Sequence, residues 1–276
     1  MVGEHMSDRT GRHRGRVVYI TGGSAGIGRG AAEVFVREGA SIVLNGLSKS
    51  NVDEAVSDIR SAGGAAIGQV GDVAEEETHA AAVELALSEF GRLDHLVTSA
   101  GIQTYGDAAT TTAQGFDKVF AVNVRGTFLA VHAAIAEIRK TSGTITLISS
   151  VQGVATQNNV VAYTATKGAL NAMARALAVD EAAYGVRVNA ILPGSVDTPM
   201  LRTSAKEWSD GTPEGVERTI ATWGTMHALG RVAQPVEIGA VCSFLASNEA
   251  SFVTGAEIRV DGGLLARIAA ALPTKD

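Results

Sequence analysis

Short β-branched runs alternate along the chain with longer Ala-rich stretches in which apolar positions return every three or four residues. The strand candidates are Val17–Thr21, Ser41–Asn45, Ala65–Val70, His95–Thr98, Thr144–Ser149, Arg187–Leu192 and Ala256–Val260. Most are nearly continuous apolar runs rather than alternating ones. Strands covered on both faces read that way, which implies a parallel sheet between layers of helices. Helix candidates fall between them, at Ile27–Glu38, Asn51–Ala62, Glu75–Phe90, Gly115–Lys140, Ala162–Ala183 and Pro235–Leu245. The β-α-β rhythm predicts an α/β fold, a doubly wound, parallel seven-stranded sheet with right-handed crossovers and helices on both faces.

One stretch breaks the rhythm. Residues Gly194–Arg231 separate the sixth strand candidate from the next helix, and connections of that length in a compact domain usually have a function. This stretch is expected to form a substrate lid with one or two short helices, its apolar Met200, Leu201, Trp208, Trp223 and Met226 touching substrate or packing the lid down.

Composition changes this picture only at the margins. The 276 residues suit one domain, expected over 16–276, with 1–15 as a flexible tail. Arg9, Arg12, Arg14 and Arg16 crowd that start and read as a solvated segment, and Met1–Met6 reads in part as a cloning remnant. A formal charge of −6 gives no footprint for nucleic acid or an anionic membrane. The most apolar stretch, Val119–Ala136, is interrupted by Asn123 and Arg125 and does not read as a membrane span. The single cysteine, Cys242, lies in the apolar run Ala240–Ala246, reads as core filling, and points to a reducing, cytoplasmic setting. No Cys/His cluster has metal-ligand spacing, so no metal is expected.

Two constellations carry chemistry. The first is Thr21-Gly22-Gly23-Ser24-Ala25-Gly26-Ile27-Gly28, a glycine-rich turn between the first strand and the first helix. Gly22 can make the tight turn, Gly26 lets backbone approach a pyrophosphate, and Gly28 lets the helix pack on the sheet. Free N–H groups and the helix dipole favour the anion. The second is Tyr163 and Lys167, four apart on one helix face, with Ser150 at the carboxyl edge of the sheet and Asn123 inside the Gly115–Lys140 helix. A phenol can carry the proton that accompanies hydride transfer, a neighbouring ammonium lowers its pKa, and a serine hydroxyl can hold the substrate oxygen. A Tyr–Lys pair at this spacing is also a common structural feature, and a glycine turn alone is a weak signal.

Together the pieces resemble the short-chain dehydrogenase/reductase family, in its compact single-domain branch, from about Arg16 to about Leu265. TGGSAGIG resembles the family's TGxxxGxG, and Tyr163-Thr164-Ala165-Thr166-Lys167 its YxxxK, with Ser150 thirteen residues upstream. Asp72-Val73 resembles the pair that contacts adenine, Pro193-Gly194 with Val196 and Thr198 the stretch that holds the nicotinamide amide, and Asp261-Gly262-Gly263 the C-terminal signature. The resemblance implies strand order 3-2-1-4-5-6-7 and an NAD- or NADP-dependent alcohol–ketone oxidoreductase. It implies Tyr163 as general acid/base, Lys167 as ribose ligand and tuner of the phenol, Ser150 on the substrate oxygen and Asn123 in a water-linked proton relay. It further implies cofactor contacts from Gly22, Ser24, Gly26, Ile27, Gly28, Ala100 and Gly101, and a homodimer or homotetramer.

Three departures qualify it. The family's NNAG is Thr98-Ser99-Ala100-Gly101, which puts the usual asparagine contacts in doubt. Gly46 stands where many NAD users have an Asp, and Leu47 where NADP users often have an Arg, so neither cofactor code is present. Ser24, Ser48 and Lys49 offer ligands for a 2′-phosphate, while Asn45-Gly46-Leu47 resembles some NAD users that lack the Asp. The balance leans to NAD. The amide-rich segment Val151–Asn158 places Gln152 and Gln157 as readers of substrate hydroxyls, suiting a sugar-like or cyclic substrate, unless it is an ordinary surface loop. Two other readings stay open. One is a 3-oxoacyl thioester reductase whose carrier docks on Arg125, Arg139, Lys140 and Arg175. The other is a cofactor-binding regulator without chemistry.

Overall fold

The computed structural model describes residues 11–266. Seven parallel strands, β1 Val17–Thr21, β2 Ser41–Gly46, β3 Ala65–Val70, β4 His95–Thr98, β5 Thr144–Ile148, β6 Arg187–Pro193 and β7 Glu257–Val260, form one sheet in the order β3-β2-β1-β4-β5-β6-β7. β1, β4 and β5 bury every residue, as their unbroken apolar runs require, whereas the edge strands β3 and β7 are partly open. The chain reverses its direction of winding between β1 and β4, and the crevice at their carboxyl ends is where such sheets bind ligands.

Helices α1 (Gly26–Arg37), α2 (Lys49–Ser61) and α9 (Pro235–Ala246) cover one face around Ile20, Phe35, Leu44 and Ile238. On the other face lie α3 (Glu76–Phe90), α5 (Gly126–Thr141) and α6 (Val161–Glu181), around Tyr19, Leu96, Leu147 and Leu170. α1 and α9 cross closely enough that a Cβ on Gly30 would fall 2.7 Å from the Pro235 carbonyl oxygen. Cys242 is fully buried in this layer, and burial pushes its thiol up to about 12.

The expected helix over Gly115–Lys140 is not continuous. α4 (Ala113–Phe120) passes through a π-helical turn, Ala121–Arg125, before α5 begins. Hydrophobic periodicity does not register one extra residue in a turn, and such turns gather at functional sites. The Ala113–Thr141 stretch is long and apolar enough to cross a membrane, but it packs Leu129, Ala130, Ala134 and Ile138 into the core.

The start of the chain also departs from expectation. Met1–Met6 and Arg9 lie outside the described residues, but residues 11–15 are a docked turn rather than a free tail. His13 is 1% exposed and its backbone N–H donates to Glu38 O at 2.8 Å. Arg12 pairs with Glu249 at 3.0 Å and Arg16 with Asp94 at 2.7 Å. A basic, glycine-flanked sequence carries no apolar signal for this docking, because the contacts are polar and come from distant segments.

The Gly194–Arg231 connection holds α7 (Pro199–Glu207) and α8 (Pro213–Gly224), each started by a threonine cap and a proline. They share a small core of Ala205, Ile220 and Val232 with Leu201, Val216 and Trp223. Val196, near the start of the stretch, and Ala233, just beyond its end, form a parallel bridge that closes its base.

Candidate active site

The glycine turn leaves β1 in a conformation that L side chains rarely adopt, with φ of +64° at Gly22 and +52° at Gly26. A Cβ on Gly28 would run into the Gly22 carbonyl oxygen, so a side chain there would push α1 off the turn. Ala25 caps α1 without a side-chain bond and the first turn carries no acid. Its N–H groups and dipole therefore face the crevice free to bind an anion. A Cβ on Gly26 would sit 3.2 Å from the Thr198 methyl, so the turn and the Pro193–Thr198 stretch converge as the sequence predicts.

The Thr98–Gly101 turn survives the loss of its asparagines. Thr21 Oγ1 accepts from the N–H groups of Ser99 and Ala100 at 3.1 and 3.2 Å. The buried Thr98 hydroxyl has no partner in its place. Gly101 lies against the catalytic candidates, since a Cβ there would be 3.3 Å from Asn123 Oδ1 and 3.9 Å from Lys167 Nζ.

Tyr163, Lys167 and Ser150 meet at the carboxyl end of β5. Tyr163 is 8% exposed, and Ser150 pulls its phenol pKa down. The Lys167 ammonium stands 5.3 Å from the Tyr163 ring centroid and donates to Ile148 O at 2.9 Å. Ser149 Oγ donates to Lys167 O at 3.0 Å, tying α6 to the strand end. Ser150 is itself held by the Gln152 N–H at 3.1 Å.

The electrostatics differ from the expected lowered phenol. Burial pushes Tyr163 up to about 12 against the pull of the Ser150 bond, and burial brings Lys167 down to about 8. Desolvation of the buried phenol is the largest influence on it. Asn123 is 1% exposed, and its amide accepts from Ile102 N at 2.8 Å and donates to Ile102 O and Thr166 Oγ1 at 3.0 and 3.1 Å. Both amide protons and one acceptor position are thus engaged in fixing the loop after β4, and the second lone pair of Oδ1 is left for a further donor.

These groups open on a cavity of about 750 Å³. Gln103, Gln152, Gln157 and Asn158 line it, together with Met200, Leu201, Trp208, Trp223 and Met226 of the lid stretch. Tyr105 and Trp208 meet edge to face across it, ring centroids 5.7 Å apart. The sequence reading missed Tyr105, which sits in a loop without periodicity. At the far end of the crevice, a Cβ on Gly46 would fall 2.5 Å from Ser24 Oγ, and Leu47 is 75% exposed. Asp72 is exposed and accepts from Ala74 N at 2.9 Å, and Val73 is buried beside it.

Three of the four cations read as a docking patch for a carrier protein are paired with carboxylates. Arg125 donates to Ala74 O, Arg139 pairs with Glu181 at 2.7 Å, Lys140 with Glu137 at 2.7 Å, and Arg175 with Glu257. Each cation has an acceptor of its own, which a sequence does not reveal when the acceptor is remote.

A family model described as Enoyl-(Acyl carrier protein) reductase matches residues 22–265, spanning both the glycine turn and the Ser150–Tyr163–Lys167 set. The chain belongs to the short-chain dehydrogenase/reductase family. Like other members, it is an NAD(P)-dependent oxidoreductase acting on CH–OH groups of small molecules. It is 40% identical over 261 residues to an L-fucose dehydrogenase of Mus musculus, covering 91% of this chain and 89% of that one. It is 37% identical to a cyclopentanol dehydrogenase of Comamonas testosteroni, over 93% and 99% of the two chains. Among solved structures, the ligand-free aldohexose dehydrogenase of Thermoplasma acidophilum superposes with a TM-score of 0.86 at 33% identity, covering 95% of this chain and 98% of that one. A levodione reductase superposes at 0.87 with 32% identity, over 92% and 99%.

Proposed function

We propose that this enzyme interconverts a secondary alcohol and a ketone on a cyclic, hydroxyl-bearing small molecule, a sugar or related polyol, with NAD as cofactor. The observation that carries this reading is the mixed lining of the cavity beside Tyr163 and Ser150. Its amides can read hydroxyl edges while the lid offers Trp208, Trp223 and methionines to the C–H face of a ring. The activities for which the relatives are named, on fucose, cyclopentanol and aldohexose, are consistent with that choice.

The cradle residues suit a dinucleotide, with the open N-terminus of α1 and Gly22, Gly26 and Gly28 holding its pyrophosphate. When bound, the nicotinamide supplies the hydride acceptor or donor. Lys167 holds the ribose, and Ser150 Oγ donates to the substrate oxygen. Burial keeps the Tyr163 hydroxyl protonated at neutral pH, so in ketone reduction it gives its proton to the carbonyl oxygen. Alcohol oxidation needs the phenolate and gains as pH rises. Asn123 positions the loop that carries Gly101.

Support for NAD comes from the adenosine end. Crowding by Ser24 and Val52 explains why Gly46 bears no acid, and Lys49 and Arg29 already face Asp53, Glu33 and Asp58, so neither stands uncommitted for a 2′-phosphate. We place the enzyme in the cytoplasm, in keeping with its buried free thiol, as a homodimer or homotetramer associating through exposed apolar residues such as Phe128, Val179 and Phe252. Activity on a panel of aldoses, cyclic diols, cyclic monoalcohols and 3-oxoacyl thioesters, with each cofactor in parallel, tests the reading. Turnover of the thioesters alone would refute it.

A further inference from the structure

His227 stands where three walls of the reaction cavity join. It follows α8, whose Trp223 lines the cavity, and it faces Gly194-Ser195 just beyond β6 and the Asp261–Gly263 turn beyond β7. Its residue is 2% exposed. Nδ1 lies 3.2 Å from the Trp223 carbonyl oxygen, and Nε2 lies 3.1 Å from the Ser195 backbone nitrogen. A carbonyl oxygen only accepts and an amide N–H only donates. The neutral tautomer with its proton on Nδ1 is therefore the form that satisfies both partners.

The ring is also closely fitted. A Cβ on Gly194 would lie 2.8 Å from Nε2, and one on Gly262 would lie 3.4 Å from His227 Cβ. Backbone pairing holds the neighbouring groups, Gly194 N to Val260 O at 3.1 Å and Ala233 N to Ser195 O at 2.9 Å. The Ser195 N–H falls to the imidazole.

We propose that His227 is a positioning residue for the nicotinamide end of the cofactor site. By accepting from Ser195 it sets the path of Pro193–Thr198, and by donating to Trp223 it hooks the lid to the same backbone. This inference rests on the dinucleotide reading of the crevice.

The test measures dissociation constants calorimetrically for NAD and for ADP, which ends before the nicotinamide, in three variants alongside thermal melting. His227→Leu leaves the Ser195 N–H without an acceptor, and NAD affinity should fall about tenfold while ADP affinity holds. His227→Gln keeps an acceptor within reach of Ser195 and should recover most of the loss. His227→Asn keeps a donor near Trp223 but not the Ser195 contact, and should not. If His227→Leu does not fold, the Gln–Asn contrast still decides. Unchanged NAD binding in His227→Leu, equal behaviour of Gln and Asn, or parallel loss of NAD and ADP would overturn the role. A wild-type protein that binds neither NAD, NADP nor ADP would instead defeat the cofactor reading itself.

Discussion

Acidification from pH 7 to pH 5 should destabilise this fold by about 4 kcal/mol through two buried histidines at the amino end of the sheet. His13 and His95 stand with ring centroids 5.5 Å apart, and Phe35 packs on both. His13 faces Ser243 at 3.0 Å, Glu38 at 3.7 Å, and the charges of Arg12 and Arg16, while His95 bonds Thr144 at 2.9 Å. Burial brings His13 down to about 4, with Glu38 opposing, and His95 down to about 3, with His13 adding to the effect. Both folded values lie below the unfolded value of about 6.5. Between those limits the unfolded chain binds more protons, so stability is complete above about 6.5 and is lost as pH falls. At pH 5 each ring costs roughly 1.5 units at 1.36 kcal/mol per unit, or about 2 kcal/mol, and the pair about 4 kcal/mol. For a domain of this size that is about 10 °C in melting temperature. Calorimetry at pH 7, 6 and 5, at fixed ionic strength and protein concentration, measures it. His13→Phe should remove about half of the slope. A melting temperature level across this range, or an unchanged slope in His13→Phe, would refute the reasoning.

Tyr163→Phe should cut turnover by at least ~10²-fold while the NAD dissociation constant measured by titration stays within about twofold. Gly28→Ala should reduce NAD affinity by more than about tenfold, with circular dichroism showing the fold retained, because its Cβ meets the Gly22 carbonyl. Cofactor affinity should weaken as pH rises through about 8, where Lys167 gives up its proton, and Lys167→Arg should move that break to higher pH in the same titration. In the wild type, kcat/KM for alcohol oxidation below that break should rise with pH, since burial opposes the phenolate of Tyr163.

Much of the architecture was legible from periodicity, because β1, β4 and β5 are apolar throughout and the helices between them repeat regularly. β1, β3 and β4 fall where the runs predict, and the other four strands differ by one residue at an end. What stayed hidden arises from contacts between distant segments. The docking of His13 depends on Ser243 and Glu38, and the neutralisation of Arg139 on Glu181. The π turn at Asn123 becomes intelligible once Ile102 and Thr166 are seen to claim its amide. In the site, Tyr163, Lys167, Ser150 and the glycine turn were readable through their joint, ordered resemblance to the family's motifs, since each alone is a weak signal. Tyr105 and His227 were not, since an isolated ring in a loop has no pattern until the fold supplies its neighbours. The upward direction of the Tyr163 shift was not legible, because a sequence does not give the desolvation of a buried phenol.

The bridge between Val196 and Ala233 has a bearing on how such enzymes diversify. Asp197 donates to Ala233 at 2.8 Å and Ala233 to Ser195 at 2.9 Å, so both ends of the intervening segment are stapled at one point beside the sheet. With its own small nucleus of Ala205, Ile220 and Val232, the segment is a cassette with a fixed socket. Replacement by a cassette of different length would alter the substrate accepted while the sheet and the Tyr163–Lys167 pair keep their places. The histidine that accepts from Ser195 is a fitting such a transplant has to carry with it.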